Sequence, residues 1–379
     1  MNRQYVFKRQ YKRALVNIFD ALGYAFKSTQ QSPLPIPKRL LIIRWDQLGD
    51  VLCALPLIRS LAQLEPKPYI AVSVSPSAAP LLRDIVEIDE IIPFQASWFS
   101  RAGARRDSVH QLIKNLKTKK FDTVLDLRGD LRHHLIMAWA GISHRAGYGI
   151  TGGGFLLEHV LPWSKDEHAV ERNLQFLSLW PSVNRNNIPS LPWKPRPEEL
   201  SWLTGAVGKD PYVVLHPDAG TSAKQWPIDR YANFAKALKR SGIQAVVVGT
   251  DQKMRQSAQA WGTPVIDLIG KTTLPQLVTL LQQSQGLIST DSGPAHIAAA
   301  FAKPVWVLWS GTSNPQNWKP LGPHVYFAQH HVACEYCEQS VCPVSGHPCL
   351  NDLTWETVAR AFQPSFEQHL KLSLTPAHV

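Results

Sequence analysis

Apolar residues in this 379-residue chain fall into short runs separated by amphipathic stretches. Short apolar runs predict buried parallel strands, and the stretches between them predict helices that cover the sheet. The first set of strand candidates occupies 40–45, 69–74, 90–94 and 123–127. The second set occupies 212–217, 244–249, 264–268, 286–290 and 304–309. The pattern therefore predicts an α/β protein with two doubly wound domains.

The stretch VNRNNIPSLPWKPRPEE, rich in Pro and Asn, separates the two sets and is typical of a linker. The predicted organisation is a helix and linker at 1–37, a first domain at 38–182, a linker at 183–208 and a second domain at 209–379. Two such domains are expected to leave a cleft at the carboxyl ends of their strands, where ligands bind in open α/β sheets.

The N-terminal stretch 4–27 has the periodicity of a basic amphipathic helix. Its apolar stripe consists of Phe7, Tyr11, Leu15, Ile18 and Leu22, and Lys8, Arg9, Lys12 and Arg13 lie largely off it. Two interpretations stay open. The helix lies on a membrane surface, or it packs on the protein with its basic side in water.

Charge supports an anionic partner for this end of the chain. The net charge is +11, and the first forty residues contribute +7 of it, from eight Lys and Arg against Asp20. The body therefore carries about +4, without the basic stripe and stacking aromatics of a nucleic-acid binder. Hydrophobic residues make up 44%, enough for large cores, yet no apolar run is long enough to span a bilayer. A cytoplasmic enzyme of acidic substrates is the expectation.

The first segment that can do chemistry is RWDQLGDVLCALP, where a strand runs into a helix. Asp50 stands in the connecting loop and can accept a proton from a substrate hydroxyl. A helix-capping role explains the same residue equally simply, and Asp46 is a competing carboxylate. Cys53 is most simply a small buried residue.

Two segments of the second domain suit a diphosphate. In LHPDAGTSAKQWP, Thr221 and Ser222 offer hydroxyl and backbone N–H groups, and Lys224 supplies a charge. In STDSGPAHIAAA a strand runs into an Ala-rich helix, whose N-terminus attracts anions. The candidates there are Asp291, Ser292, Gly293 and His296. An ordinary polar loop, and a core histidine, remain the simple alternatives.

Two further segments stand outside this pair. In LDLRGDLRHH, Arg128 and Arg132 can contact an anionic acceptor, although a solvated loop explains them as well. In CEYCEQSVCPVSGHPC the cysteines have the spacing C-x2-C-x4-C-x6-C, which suits a structural zinc or iron site. Its ligands would be Cys334, Cys337, Cys342 and Cys349, and free thiols or disulfides are the alternatives.

Taken together, these segments resemble glycosyltransferase family 9, the ADP-heptose:lipopolysaccharide heptosyltransferases. The resemblance covers about residues 38–360 and rests on RWDQLGDVLCALPLIRSL, DLRGDLR, HPDAGTSAKQWP and, most of all, STDSGPAHIAAA. It implies a GT-B fold, with two Rossmann-like domains, the acceptor on the first and an ADP-sugar on the second. It also implies transfer with inversion, Asp50 as catalytic base and no cofactor needed for catalysis.

By the same resemblance, the donor contacts are Thr221, Ser222, Lys224, Asp291, Ser292, Gly293 and His296. Some relatives hold the ribose with a Glu, in place of which this chain has Asp251. The expected partners are an ADP-sugar, a lipopolysaccharide core acceptor and the inner-membrane surface, with no nucleic acid. The alternatives are another nucleotide-sugar or acceptor, in O-antigen, capsule or protein glycosylation, and a non-catalytic metal-binding scaffold.

Overall fold

The computed structural model describes residues 10–25, 34–98, 107–185 and 189–374. Contacts within the chain divide it into two compact units, Met1–Asn187 and Ile188–Val379. Each unit is built around one six-stranded parallel sheet. The predicted fold class, two Rossmann-like α/β domains of the GT-B type, is confirmed.

The first unit has the sheet order β3-β2-β1-β4-β5-β6. Its strands are β1 (Arg39–Arg44), β2 (Tyr69–Val74), β3 (Glu90–Pro93), β4 (Thr123–Asp126), β5 (His144–Gly147) and β6 (His159–Val160). Its helices are α1 (Gln10–Ala25), α2 (Leu48–Leu61), α3 (Val109–Lys119), α4 (Leu131–Trp139) and α5 (Ala169–Leu174). The strands β1 and β2 are almost wholly buried, which explains why their sequences are continuous apolar runs.

The second unit repeats this arrangement with the order β12-β11-β10-β7-β8-β9. Its strands are β7 (Tyr212–His216), β8 (Gln244–Val247), β9 (Ile266–Asp267), β10 (Leu287–Thr290), β11 (Val305–Trp309) and β12 (Val325–Gln329). Its longer helices are α6 (Pro197–Val207), α7 (Tyr231–Arg240), α8 (Gln252–Gln259), α9 (Leu274–Gln283), α10 (Gly293–Ala300) and α13 (Trp355–Leu370), and two short ones are α11 (Pro315–Trp318) and α12 (Pro348–Asn351).

Counted within each unit, both sheets have the strand order 3-2-1-4-5-6 of the Rossmann fold. The order reverses between β1 and β4 in the first unit, and between β7 and β10 in the second. Loops leaving two such strands diverge to opposite faces of the sheet, so the space between them is where this fold binds ligands. Apart from Asp251 and the four cysteines, the candidate residues of the sequence follow these four strands.

The stretch 183–208, predicted to be a linker, contains α6, which packs on α9 in the second unit. Pro197 suits the first helical turn, and Glu199 closes a capping box on Arg196. The Glu199 carboxylate is buried and accepts a hydrogen bond from Thr279 Oγ1 at 3.2 Å. Proline-rich composition obscured a helix that belongs to the second unit.

The predicted helix at 4–27 is present as α1 over the part that the structure describes, and Phe7 lies outside that part. Among the described residues no helix is both long enough and apolar enough to cross a bilayer.

Candidate functional site

Asp50 lies on the third residue of α2, directly beyond the end of β1. The helix N-cap is Gln47, whose backbone N–H donates to Asp50 Oδ2 at 3.3 Å in a capping box. Asp50 was predicted to stand in the connecting loop, whereas it lies in the first turn of the helix. Asp50 closes the cap from inside the helix and does not occupy the N-cap position.

The guanidinium of Arg44 is the main partner of this carboxylate. Its Nη2 donates to Asp50 Oδ1 at 2.7 Å, and its Nε lies 3.3 Å from Asp46 Oδ2. Arg44 also donates to the carbonyl of Leu127 beyond β4. Burial alone would lower the pKa of Arg44, but Asp46 and Asp50 outweigh it and raise the pKa. The sequence reasoning treated Arg44 only as the end of a strand.

The two carboxylates beside Arg44 differ in access. The Asp46 side chain is 2% exposed and also binds Arg128 Nη1 at 2.5 Å, whereas the Asp50 side chain is 16% exposed. Burial and the neighbouring charge of Asp50 raise the pKa of Asp46 against the attraction of Arg44 and Arg128. Asp46 is thus the more tightly held carboxylate, and Asp50 is the more accessible of the two.

Asp126, at the end of β4, organises the segment that carries the predicted acceptor residues. Its buried carboxylate accepts hydrogen bonds from the backbone N–H groups of Arg128, Gly129 and Asp130 at 3.0–3.2 Å. It also meets His133 Nδ1 at 2.9 Å and His134 Nε2 at 3.1 Å. Burial opposes ionisation, but the two histidines lower the pKa of Asp126, so the carboxylate stays charged.

Arg128 and Arg132 project from this ordered segment with side chains 41% and 49% exposed. Arg132 pairs with Asp130 at 2.5 Å, and its guanidinium lies 4.8 Å from the ring centroid of Trp98. Each of these two arginines thus pairs with a carboxylate and keeps about half of its side chain exposed.

In the second unit, the loops after β7 and β10 meet at one ion pair. Lys224 Nζ lies 2.5 Å from Asp291 Oδ2, and Ser313 Oγ donates to the same oxygen at 2.7 Å. Asp291 is buried, whereas the Lys224 side chain is 28% exposed. The two segments that the sequence assigned to phosphate binding therefore lie side by side.

A serine–histidine cluster fixes the start of α10. His216 Nδ1 lies 3.2 Å from both Ser289 Oγ and Ser292 Oγ, and the two hydroxyls are 2.8 Å apart. Ser292 is the N-cap residue of α10, but its side chain does not cap the helix because its hydroxyl bonds this cluster. Burial lowers the pKa of His216 to about 4, so the ring is neutral at pH 7. Gly293 begins α10, and His296 lies half-buried on its first turn.

Thr221 lies close to Lys224 along the chain, and its Oγ1 is buried without a hydrogen-bond partner among the described residues. A buried hydroxyl of this kind costs free energy unless something bonds it. Ser222 is exposed at the start of a short 3₁₀ turn. This loop therefore offers the groups expected of a site that a ligand completes.

Asp251 lies half-buried between β8 and α8. Its neighbour Thr250 donates through both its N–H and its Oγ1 to Asp218 Oδ2, each at 2.7 Å. Thr290 Oγ1 donates to the Asp218 carbonyl at 3.0 Å. Asp218 therefore ties the loops after β7 and β8 to the last residue of β10, a role that the local sequence does not reveal because each partner is far away along the chain.

The loop that carries Cys334, Cys337, Cys342 and Cys349, called the four-cysteine loop below, lies against the loop that carries Thr221, Ser222 and Lys224. The Ser340 carbonyl of this loop accepts a hydrogen bond from Ala223 N at 3.2 Å and from Ser222 Oγ at 3.4 Å. Tyr336 N and Glu338 N donate to the carbonyls of Gly311 and Thr312, just beyond β11. The loop therefore braces Ser222 and Ala223 from outside the sheet.

None of the five cysteines, all of which lie in the described residues, forms a disulfide, and Cys53 is buried on α2 as predicted. Cys334, Cys337, Cys342 and Cys349 line one small pocket together with His347, whose buried Nε2 has no hydrogen-bond partner in the described part of the chain. This donor set fits a thiophilic metal in kind. Within the described residues, however, no three His, Cys, Asp or Glu side chains are already arranged as metal ligands.

Residues 109–347 match the family model described as glycosyltransferase family 9 (heptosyltransferase). The chain belongs to this family. It is a glycosyltransferase. The match includes the candidate phosphate-binding residues after β7 and β10 and the segment that carries Arg128 and Arg132, called the arginine segment below, while Asp50 lies before the matched residues. The interpretation of the chain as a non-catalytic scaffold is therefore wrong.

Two relatives extend the likeness. The chain is 30% identical over 295 residues to lipopolysaccharide heptosyltransferase 3 of Escherichia coli strain K12, covering 72% of this chain and 82% of that protein. It is 27% identical over 311 residues to lipopolysaccharide heptosyltransferase 2 of the same strain, covering 75% and 85%.

Solved structures of several glycosyltransferases show the same fold. A Veillonella parvula family 9 glycosyltransferase matches with a TM-score of 0.77 at 20% identity, covering 89% of this chain and all of that one. Escherichia coli heptosyltransferase WaaC with ADP-2-deoxy-2-fluoro heptose matches at 0.64 and 19% identity, covering 86% and 99%. The iron-containing dodecameric glycosyltransferase TibC of Escherichia coli matches at 0.54 and 15% identity, covering 89% and 78%.

Proposed function

We propose that this glycosyltransferase moves a heptose from an ADP-sugar to a lipopolysaccharide core acceptor, with inversion at the anomeric carbon. The observation that carries the donor side is the grouping of Lys224, Asp291 and the buried Thr221 hydroxyl where the strand order of the second unit reverses. The names of the relatives support the heptose and the acceptor, and the WaaC complex supports ADP.

The diphosphate of the donor is expected to bind between the Thr221 loop and the start of α10. Backbone N–H groups at a helix N-terminus favour an anion, and Lys224 is exposed enough to turn from Asp291 to a phosphate oxygen. The Thr221 hydroxyl would gain the bond that it lacks among the described residues. Ser222, Gly293 and His296 complete the expected phosphate contacts, and Asp251 is the candidate for the ribose.

We assign the catalytic base to Asp50. Arg44 occupies Oδ1 at 2.7 Å, whereas the contact of Oδ2 is the longer one of 3.3 Å with Gln47 N, so Oδ2 is available to a substrate hydroxyl. The proton of the acceptor hydroxyl passes to Asp50, the oxygen forms a bond to the anomeric carbon, and the bond from that carbon to ADP breaks. Lys224 and the N-terminus of α10 stabilise the charge that develops on the leaving phosphate.

The acceptor side rests on Arg128 and Arg132. Each is fixed by one carboxylate and keeps about half of its side chain exposed, which suits an anionic sugar or phosphate group. The core acceptor is a glycolipid, so we propose that the enzyme works in the cytoplasm on the inner-membrane surface.

A donor screen tests this proposal. Melting temperature would be measured with ADP, UDP and GDP and with their sugar conjugates, for the wild type and for Lys224→Ala. We expect stabilisation by ADP compounds alone, and much less of it in the variant. Stabilisation by UDP or GDP in place of ADP would favour a transferase that uses another nucleotide-sugar. A melting temperature that none of these compounds changes would contradict the donor assignment.

We also propose that the four-cysteine loop holds a structural zinc or iron ion through Cys334, Cys337, Cys342 and Cys349. The spacing, the shared pocket and the buried Nε2 of His347 support it. Thiols on a loop do not have to be arranged as ligands in advance, because metal binding is coupled to the folding of the site and the ion draws the sulfurs together.

Metal content of the purified protein tests this assignment. We expect about one equivalent of metal per chain, lost together with several degrees of melting temperature in Cys337→Ser and retained in the control Cys53→Ala. A wild type that purifies without metal, and whose melting temperature does not change when zinc or iron is added, would overturn it.

A further inference from the structure

The helix α1 has two opposite faces with different surroundings. On the face towards the protein, Asp20 is buried and its Oδ1 accepts the Gly153 N–H at 2.7 Å. Gly23 packs so closely on Phe155 that a Cβ would clash with its ring, and Tyr24 meets the same ring at 6.2 Å between centroids. The packing of this face is specific, because Gly23 and the buried Asp20 carboxylate fix the helix against the loop that carries Gly153 and Phe155.

The opposite face is apolar and exposed. Tyr11, Leu15, Ile18 and Leu22 are 55–63% exposed and recur at helical spacing, so they form one stripe along the whole helix. A helix that only packs on its own domain leaves no apolar stripe in water, whereas α1 packs Phe19 and Tyr24 on Phe155 and still exposes this stripe. The structure thus combines both interpretations of the sequence: the helix is packed on the protein, and its apolar stripe faces outwards.

We propose that this stripe inserts into an anionic membrane surface and docks the enzyme on it. In the sequence, residues 1–27 hold six Lys and Arg against Asp20, a net charge of +5 that complements anionic headgroups. Such a helix lies in the interface plane, and α1 as the structure describes it is not long and apolar enough to cross a bilayer.

The position of α1 connects membrane docking to acceptor binding, a step that rests on the proposed function. The loop that α1 contacts also holds the arginine segment: Thr151 Oγ1 accepts from Leu131 N at 2.8 Å and donates to Gly129 O at 3.0 Å. His134 Nδ1 meets the Gly152 carbonyl at 3.1 Å. The membrane helix and the proposed acceptor residues therefore share one rigid support, which would hold Arg128 and Arg132 at a fixed place relative to the lipid surface.

Co-sedimentation of the full chain with vesicles tests the proposal. The vesicles would contain phosphatidylethanolamine with or without phosphatidylglycerol, and the variants would be Leu15→Glu and Ile18→Gln. Leu200→Glu, a change of another exposed helical leucine in the second unit, is the matched control. We expect binding to the anionic vesicles that weakens with salt, falls roughly tenfold or more in Leu15→Glu and is unchanged in Leu200→Glu.

Two outcomes would overturn the proposal. One is equal vesicle binding by Leu15→Glu, Ile18→Gln and the wild type. The other is a concentration-dependent dimer of the wild type that Leu15→Glu abolishes while vesicle binding stays the same, since the stripe would then be a contact between copies. Transfer to a delipidated, soluble core oligosaccharide separates this test from the proposed function: Leu15→Glu should retain it in full and lose only transfer to acceptor embedded in vesicles.

Discussion

Replacing Asp50 with Asn removes a charge and keeps nearly the same shape, so it separates a catalytic base from a helix cap. Asn can still accept the Gln47 N–H at Oδ1 or bind Arg44 through its amide oxygen, and Arg44 keeps Asp46 and the Leu127 carbonyl. Breaking a buried pair outright costs about 3–5 kcal/mol. With two of three Arg44 partners retained, we expect a loss of only about 1–2 kcal/mol in the free energy of unfolding.

The catalytic loss should be larger than this structural loss. A general base typically contributes about 10²- to 10⁴-fold in rate, so kcat for heptose transfer should fall by at least about 100-fold. Binding of ADP should stay unchanged, because the donor residues belong to the second unit. The assay is transfer at saturating donor, alongside urea denaturation and ADP titration of the same preparations.

Asp46→Asn is the matched control. Its carboxylate is 2% exposed and bonded to two arginines, so this change should lower the free energy of unfolding more than Asp50→Asn does and lower kcat less. The reasoning would be refuted if Asp50→Asn kept kcat within about fivefold of the wild type, since the 100-fold expected of a base would be missing. An Asp46→Asn enzyme that is stable but inactive would move the base to Asp46.

Three other changes test separate parts of the structure. Thr221→Val should leave the ligand-free melting temperature unchanged or higher, because the buried hydroxyl has no hydrogen-bond partner among the described residues. The same change should weaken ADP binding about 2- to 10-fold, as measured by calorimetric titration. Unchanged ADP affinity would exclude this hydroxyl from the site. The pKa of His216 is lowered to about 4, so the unfolded chain takes up a proton first and the free energy of unfolding falls as pH drops from 6.5 towards 4. In His216→Asn, denaturant titrations should show that about 3 kcal/mol of this pH dependence is lost. An unchanged dependence of the free energy of unfolding on pH would contradict the prediction. In Gly322→Ala the new Cβ would lie 2.8 Å from the Ala299 carbonyl oxygen, which should cost about 1–3 kcal/mol of unfolding free energy, while Gly205→Ala, with open space around it, should not destabilise the protein at all.

Most strands of the described residues were predicted from the sequence, including β3 and β9 at sheet edges. The runs at 69–74 and 212–217 are apolar throughout because both faces of the sheet are covered, and they match β2 and β7 closely. The strands β5, β6 and β12 were missed. The sequence of β5 is HRAG, whose His144 and Arg145 bond Glu158 and the Leu156 carbonyl, and β6 and β12 are half-exposed edges. The three missed strands therefore lack the continuous apolar run that marked the others.

The candidate site, like the strands, could be predicted only in part from the sequence. Each phosphate-loop residue could be named because it follows a recognisable strand at the point where this fold binds ligands. Their partners could not. Ser313 reaches Asp291 from beyond β11, and Thr250 reaches Asp218 from beyond β8. Such pairs depend on which strands are neighbours in the sheet, and strand order is not visible in local sequence.

The measurement that tests the account most directly is transfer by the purified full chain, with ADP-heptose as donor and heptose-deficient lipopolysaccharide core as acceptor, followed by mass spectrometry of the glycolipid and by ADP release. We predict the addition of heptose with one ADP released per transfer, and no product when UDP- or GDP-sugars replace the donor. Binding and turnover of another nucleotide-sugar with no product from ADP-heptose would contradict the account.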